Sequence, residues 1–186
     1  MNEDWRCGQI DYVSDMAWIR VPAASFDHLF CAEVLEHVRE SIVAVKEFNR
    51  ILKLGGYLFL SAPLGAGLHQ QPYHYHGGFT PHFYRKFLPE YGFGTLKMAP
   101  NGGSFRHSLQ EVNRAWGIIQ SHRNYRRRHP MWWVLRLAFS HFIPIWFSRL
   151  DDEIFIEEFT VGYHIETQKV GGSTEKQSLN LCTSVL

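Results

Sequence analysis

The apolar positions change period along the chain, and each change marks an element. His28 to Ala32 (HLFCA) is a short apolar run behind the polar turn Ser25-Phe26-Asp27, which predicts a buried strand. Glu33 follows, and Leu35, Glu36, His37 and Val38 lead toward a helix. Over Ser41 to Leu54, Ile42, Val45, Phe48, Asn49 and Leu52 recur at three- and four-residue spacing. Lys46, Glu47, Arg50 and Lys53 fall largely on the other face, so the stretch reads as a helix stopped by Gly55-Gly56. Tyr57 to Ala62 (YLFLSA) is almost continuously apolar and suits a strand covered on both faces.

The flanking stretches are shorter. Ile10 to Asp15 predicts a strand ending in an acid, and Ala17 to Ala24 passes through Pro22 as a loop. Pro81 to Glu90 predicts a helix with Thr80 as N-cap, and a strand runs from Gly92-Phe93 to about Ala99. Phe155 to Glu166, with Phe159, Val161 and Tyr163, predicts a late strand, and a small polar tail begins near Gly171. Strand, helix, strand over residues 28–62 predicts a parallel βαβ unit with a right-handed crossover.

Composition narrows the functional classes. A chain of 186 residues fits one domain with a sizeable core, and a net charge of +1 gives no reason to expect nucleic acid as a partner. Cys7, Cys31 and Cys182 form no CxxC pair, which argues against a disulfide framework or a zinc cluster. Met1 is followed by Asn2-Glu3-Asp4 with no apolar signal region, so a cytoplasmic location is expected.

Three stretches carry candidate chemistry. The loop Leu64 to Phe79 holds His69, His74 and His76 within eight residues. An imidazole titrates near neutral pH and can serve as a base. A polar loop holding backbone carbonyls explains the same residues. The spacing matches no zinc signature and no acid is close in sequence, so no metal is expected. Asp15 is a turn-forming or helix-capping acid on spacing alone. Arg123, Arg126, Arg127 and Arg128 precede an aromatic stretch with Trp132, Trp133, Phe139, Phe142, Trp146 and Phe147. Arg136, His141 and Pro144 interrupt it, which argues against a membrane span. A helical cap over a substrate pocket is the preferred reading. A peripheral contact with anionic membrane through residues 123–150 is the alternative.

The stretch SFDHLFCAEVLEHV resembles the fourth strand and following turn of the Rossmann-like, class I S-adenosylmethionine-dependent methyltransferases, whose pattern reads "FD…C.EVLEHV". The helix followed by LKLGG, a strand and Ala62-Pro63 is similar to that family's "R.LKPGG.L.l..P". Asp15-Met16, Ile19, Pro22 and Ser25-Phe26-Asp27 follow its "DI..LP…SFD", and the histidine loop follows an "H..PYH.y.GF" run found in a subset.

The resemblance covers about Ile10 to Ala99 and Phe155 to Glu166. It implies an α/β fold, a Rossmann-like and mostly parallel sheet with an antiparallel late strand, N-terminally truncated and carrying a helical insertion. Residues 1–166 would form the partial domain, with the insertion at about 104–150 and a disordered tail at 167–186. S-adenosylmethionine is the implied cofactor. Asp15 is assigned to the adenine amino group and Met16 to the ring edge, with Cys31, Glu33 and His37 also on the cofactor side. His69 and His74 are the catalytic candidates on the acceptor side. Cys31 equally reads as an ordinary buried strand residue, and Glu33 as a helix-start acid. The "D.G.G.G" loop that cradles this cofactor has no counterpart before Ile10. The implied activity is methyl transfer to a small-molecule or lipid-like acceptor, with weak or absent cofactor binding expected in this chain. The alternative is a non-catalytic, membrane-associated interaction protein derived from such an enzyme.

Overall fold

The computed structural model describes residues 13–121 and 130–172. Two compact units emerge, one from residues up to Met98 together with those from His164, the other Ala99–Tyr163. The Ile10–Tyr12 part of the first expected strand, the arginine run at 123–128 and the tail beyond Gly172 lie outside the described residues.

The first unit is built on a four-stranded sheet in the order β1-β2-β4-β3. Its strands are β1 (Phe26–Ala32), β2 (Leu52–Pro63), β3 (Phe93–Pro100) and β4 (Gly162–Lys169). β1 and β2 are parallel, as expected, with Leu29 beside Leu58 and Cys31 beside Leu60. The joining helix α1 (Ser41–Ile51) packs on β2 with Ala44, Val45, Phe48 and Ile51 buried. β4 runs antiparallel to its neighbours. Gly55 faces Gln168 while Phe59 faces His164, and Gly92 faces Val170 while Asn101 faces Gly162. Helix α2 (Pro81–Glu90) begins after Thr80 as expected, with Tyr84 and Leu88 fully buried.

Four details differ from the pattern-based reading. The helix ends at Ile51, three residues early, because tertiary groups take its last carbonyls. Ala24 and Ser25 N–H groups bond to Arg50 and Ile51, and Lys169 Nζ donates to the Asn49 and Leu52 oxygens at 2.6 and 2.9 Å. Gly55-Gly56 are therefore not a helix stop. They sit in an irregular stretch of β2, where Phe26 pairs with Leu52 but His28 pairs with Tyr57. A Cβ on Gly56 would lie 2.9 Å from the Asp27 oxygen, so the close approach requires glycine.

β1 and the near face of β2 are not sealed. Phe30 is 72% exposed and stacks flat on Phe59, its neighbour in register, at 4.8 Å. The late strand starts at Gly162 rather than Phe155, and continues to Lys169. The expected strand before Asp15 is not formed over residues 13–15, where Asp15 makes only an isolated bridge to Trp18.

The second unit is helical. α3 (Ser104–Ser121) packs against α5 (Ile143–Glu153), and α4 (Pro130–Leu137) joins α5 through a π-helical turn, Ala138–Phe142. Trp116 is buried, stacked on Trp132 at 5.1 Å and on Phe139 at 4.8 Å. Trp133 and Trp146 stand about 60% exposed, at 62% and 59%. No helix among the described residues is long and apolar enough to cross a membrane.

Candidate functional site

The chain leaves β1 through a sharp reversal. Glu33 takes a left-handed conformation at φ 53°, held by its N–H to the Ser61 carbonyl at 2.9 Å and by Ser61 Oγ donating to its carboxylate at 2.7 Å. The next residues form a single 3₁₀ turn, Leu35–His37, whose Leu35 and Glu36 side chains are buried. This turn lies past the carboxyl end of β1, where open α/β sheets bind ligands.

The histidine loop closes over that turn. Tyr75 and His76 N–H groups both bond to the Glu36 carbonyl, at 3.0 and 3.1 Å, and the Phe79 N–H bonds to Pro63 at 2.8 Å. Gly78, at φ 153°, must be glycine because any Cβ there would strike the Leu64 carbonyl. His76 is tied to Ser41 Oγ and the Arg39 carbonyl, each at 3.2 Å, so it serves the loop's architecture.

Three imidazoles then converge. His37 lies 4.8 Å from His69 and 5.6 Å from His74, ring centre to ring centre, and His69 lies 4.4 Å from His74. Glu36 joins them, with its Oε1 at 3.7 Å from His37 Nε2. An acid is thus close in space although none was close in the loop's sequence. Burial pushes the Glu36 carboxyl above its ordinary value, partly offset by a backbone hydrogen bond. His74 is held below the usual imidazole value by burial and then by the neighbouring His69 and His37.

Beside this cluster is a cavity of about 510 Å³ whose walls include Asp15, Met16, Val34, His37, Tyr73 and Tyr75. Three of the five cofactor-side expectations, Asp15, Met16 and His37, meet there. Asp15 also makes its own turn, accepting the Ala17 N–H at 2.8 Å. Cys31 and Glu33 do not line the cavity. Cys31 is buried, and burial with the nearby Glu36 and Glu33 charges pushes its thiol up to about 12. Glu33 is engaged with Ser61 as described.

The residues that pin the loop after Met16, at Ile19 and Val21, were not singled out by the sequence reading. The Arg50 guanidinium donates to the Val21 and Ile19 carbonyls at 2.9 and 2.8 Å, and twice to the Glu47 carboxylate. Glu47 in turn accepts the Ile19 N–H at 2.7 Å. The available signal was an i, i+3 acid–base pair on a helix face that also carries apolar residues.

Comparisons with known proteins bear on the fold. A family profile described as a methyltransferase domain matches residues 3–60. The solved structure of the [4+2]-cyclase SpnF aligns over 87% of this chain and 56% of its own, with a TM-score of 0.53 and 16% identity. A sarcosine dimethylglycine methyltransferase structure from Galdieria sulphuraria, itself assigned by similarity, aligns over 84% of this chain and 57% of its own, with a TM-score of 0.50 and 14% identity. No curated protein matches the sequence. The chain thus spans a little over half the length of these two structures.

Proposed function

We propose that this chain, which resembles the class I S-adenosylmethionine-dependent methyltransferases in its motifs and shares their Rossmann-like α/β fold, serves methyl transfer from S-adenosylmethionine to a small-molecule or lipid-like acceptor. The observation that carries the reading is the meeting of Asp15, Met16 and His37 on one cavity past the end of β1. Its mixture suits an adenosine: Met16, Ala17, Val34 and Val38 offer apolar walls, and Asp15 offers a carboxylate to an exocyclic amine. The bound sulfonium supplies an electrophilic methyl group. The residues of this chain then have two tasks, to align the acceptor and to take its proton. In this assignment His69 and His74 are the acceptor-side imidazoles, with His37 between them and the cofactor.

Affinity for the cofactor in this chain is assigned as weak, because Asp15 and Met16 reach only its adenine end. Titration calorimetry of S-adenosylmethionine into purified protein tests this. The expected result is weak one-to-one binding, lowered about fivefold or more by Asp15→Ala, equivalent to about 1 kcal/mol or more. No binding at millimolar cofactor would sink the proposal. Unchanged affinity in the variant would leave Asp15 as the turn residue that its Ala17 bond already makes it.

A second reading, a membrane-associated interaction protein, is favoured by one observation. The helical unit exposes Trp133, Phe142 and Trp146. Such aromatics lie readily at the boundary of headgroups and acyl chains.

A further inference from the structure

Glu36, His37 and His69 each present a ligand atom, and these atoms all lie within 4.8 Å of one another. Each ring is already oriented by its other nitrogen. His37 Nδ1 donates to the Tyr73 carbonyl at 2.9 Å, and His69 Nδ1 donates to the Gly67 carbonyl at 2.8 Å. A carbonyl only accepts, so the proton of each neutral ring sits on Nδ1 and each Nε2 keeps its lone pair. Metal-bound histidines are held in this way, the distal nitrogen anchored to a carbonyl while the other binds the cation.

The second observation is what these groups lack. His37 Nε2 and Glu36 Oε2 are both sealed from solvent with no hydrogen-bond partner among the described residues. Glu36 is only 2% exposed, and its 3.7 Å separation from His37 Nε2 exceeds a hydrogen bond. Buried polar atoms are nearly always paired, so two orphans on adjacent residues require an explanation. A cation between them satisfies both.

We propose that Glu36, His37 and His69 bind a divalent cation of the zinc class, with His74 as the nearest further donor. His74 Nε2 is a third orphan, and its ring stands 4.4 Å from that of His69. Two imidazoles and one carboxylate suit zinc, which in reactive sites takes three protein ligands and keeps one position open. Bonds of about 2.1 Å set tetrahedral donors about 3.4 Å apart, so the ion draws the triad together by about an ångström. His37 also lines the cavity, so the site lies beside it. The site stands whether or not the chain transfers methyl groups.

The test uses full-length protein stripped by chelator and desalted. Zn²⁺ is titrated against a chromophoric competitor, and Co²⁺ absorption reports coordination. The expected result is one Zn²⁺ per chain, with affinity reduced at least tenfold in His69→Ala and in Glu36→Gln. His82→Ala, which removes an exposed imidazole on α2, should leave affinity unchanged. Glu36→Gln keeps the side chain's shape, and circular dichroism of each variant confirms that it is folded. Native protein that binds no Zn²⁺ overturns the proposal. So does binding that survives both ligand variants, or that His82→Ala weakens equally.

Discussion

Asp151 in the helical unit and Glu36 in the sheet unit are both buried acids, 3% and 2% exposed, yet their surroundings are opposite. Asp151 has partners for both oxygens. It accepts N–H groups of Gly103, Phe105 and Arg106 at 2.9, 3.1 and 3.3 Å, and pairs with the Arg106 guanidinium at 3.0 Å. It caps α3 from a distant helix, and Gly103 has no side chain because a Cβ would meet the Asp151 carboxylate. Glu36 leaves one oxygen unpaired beside two unpaired imidazole nitrogens. Pairing offsets the desolvation penalty of a buried carboxylate, whereas an unpaired oxygen leaves that penalty standing and marks a candidate binding group.

The largest expected effect breaks that comparison directly. Asp151→Ala should cost about 2–3 kcal/mol, since it removes a helix cap and strands several N–H groups. Glu36→Gln, measured without metal, should cost under about 0.5 kcal/mol or stabilise the fold, because no hydrogen bond from its unpaired oxygen is lost. Urea unfolding of the two variants measures both. Equal losses would erase the distinction between a structural and a binding carboxylate.

A smaller effect concerns Glu47, the partner of Arg50 beneath the Asp15 loop. The Arg50 guanidinium, bonded to Glu47 and countered in part by burial, holds this carboxyl below its ordinary value. A depressed folded value gives stability that is complete above the unfolded carboxylate value, about 4.3, and is lost as pH falls through the folded one. Glu47→Gln should therefore cost about 1 kcal/mol at pH 7. The gap between variant and native protein should hold above about pH 4.3 and close as pH falls below it, through the depressed folded value. A gap independent of pH would assign the effect to packing.

What the sequence disclosed follows the range of the interactions. β1, α1 and β2 were legible because their apolar periods are local and their order admits few topologies. The end of α1 was misread because Leu52 continues the helical spacing, while the decisive groups, Ala24, Ser25 and Lys169, come from elsewhere in the chain. Phe155–Val161 carry strand-forming residues without strand partners, so composition alone placed β4 too early. At the site, Asp15, Met16 and His37 were reached through motif resemblance and line one cavity, whereas Cys31 and Glu33, reached in the same way, do not. The link from Glu36 to His69 spans more than thirty residues and depends on the loop bonding to the Glu36 carbonyl. No local pattern encodes it.

The smallest expected effect is at the helical unit's surface. Trp133 and Trp146 are exposed, and the chain carries Arg126-Arg127-Arg128 nearby in sequence. Co-sedimentation should give modest binding to anionic vesicles that falls with salt, and little to neutral ones. Changing the three arginines to glutamine should abolish the anionic component. Strong binding to both vesicle types would make the aromatic surface, not the charge, the dominant contact.

Hydrogen–deuterium exchange with and without S-adenosylmethionine tests the central assignment most directly, because it reports where the cofactor sits without requiring turnover. The account predicts slowed exchange at residues 15–17, 34–40 and 73–75, which border the cavity, and no change along α3. Protection confined to α3–α5, or unchanged exchange around the cavity at saturating cofactor, would contradict it.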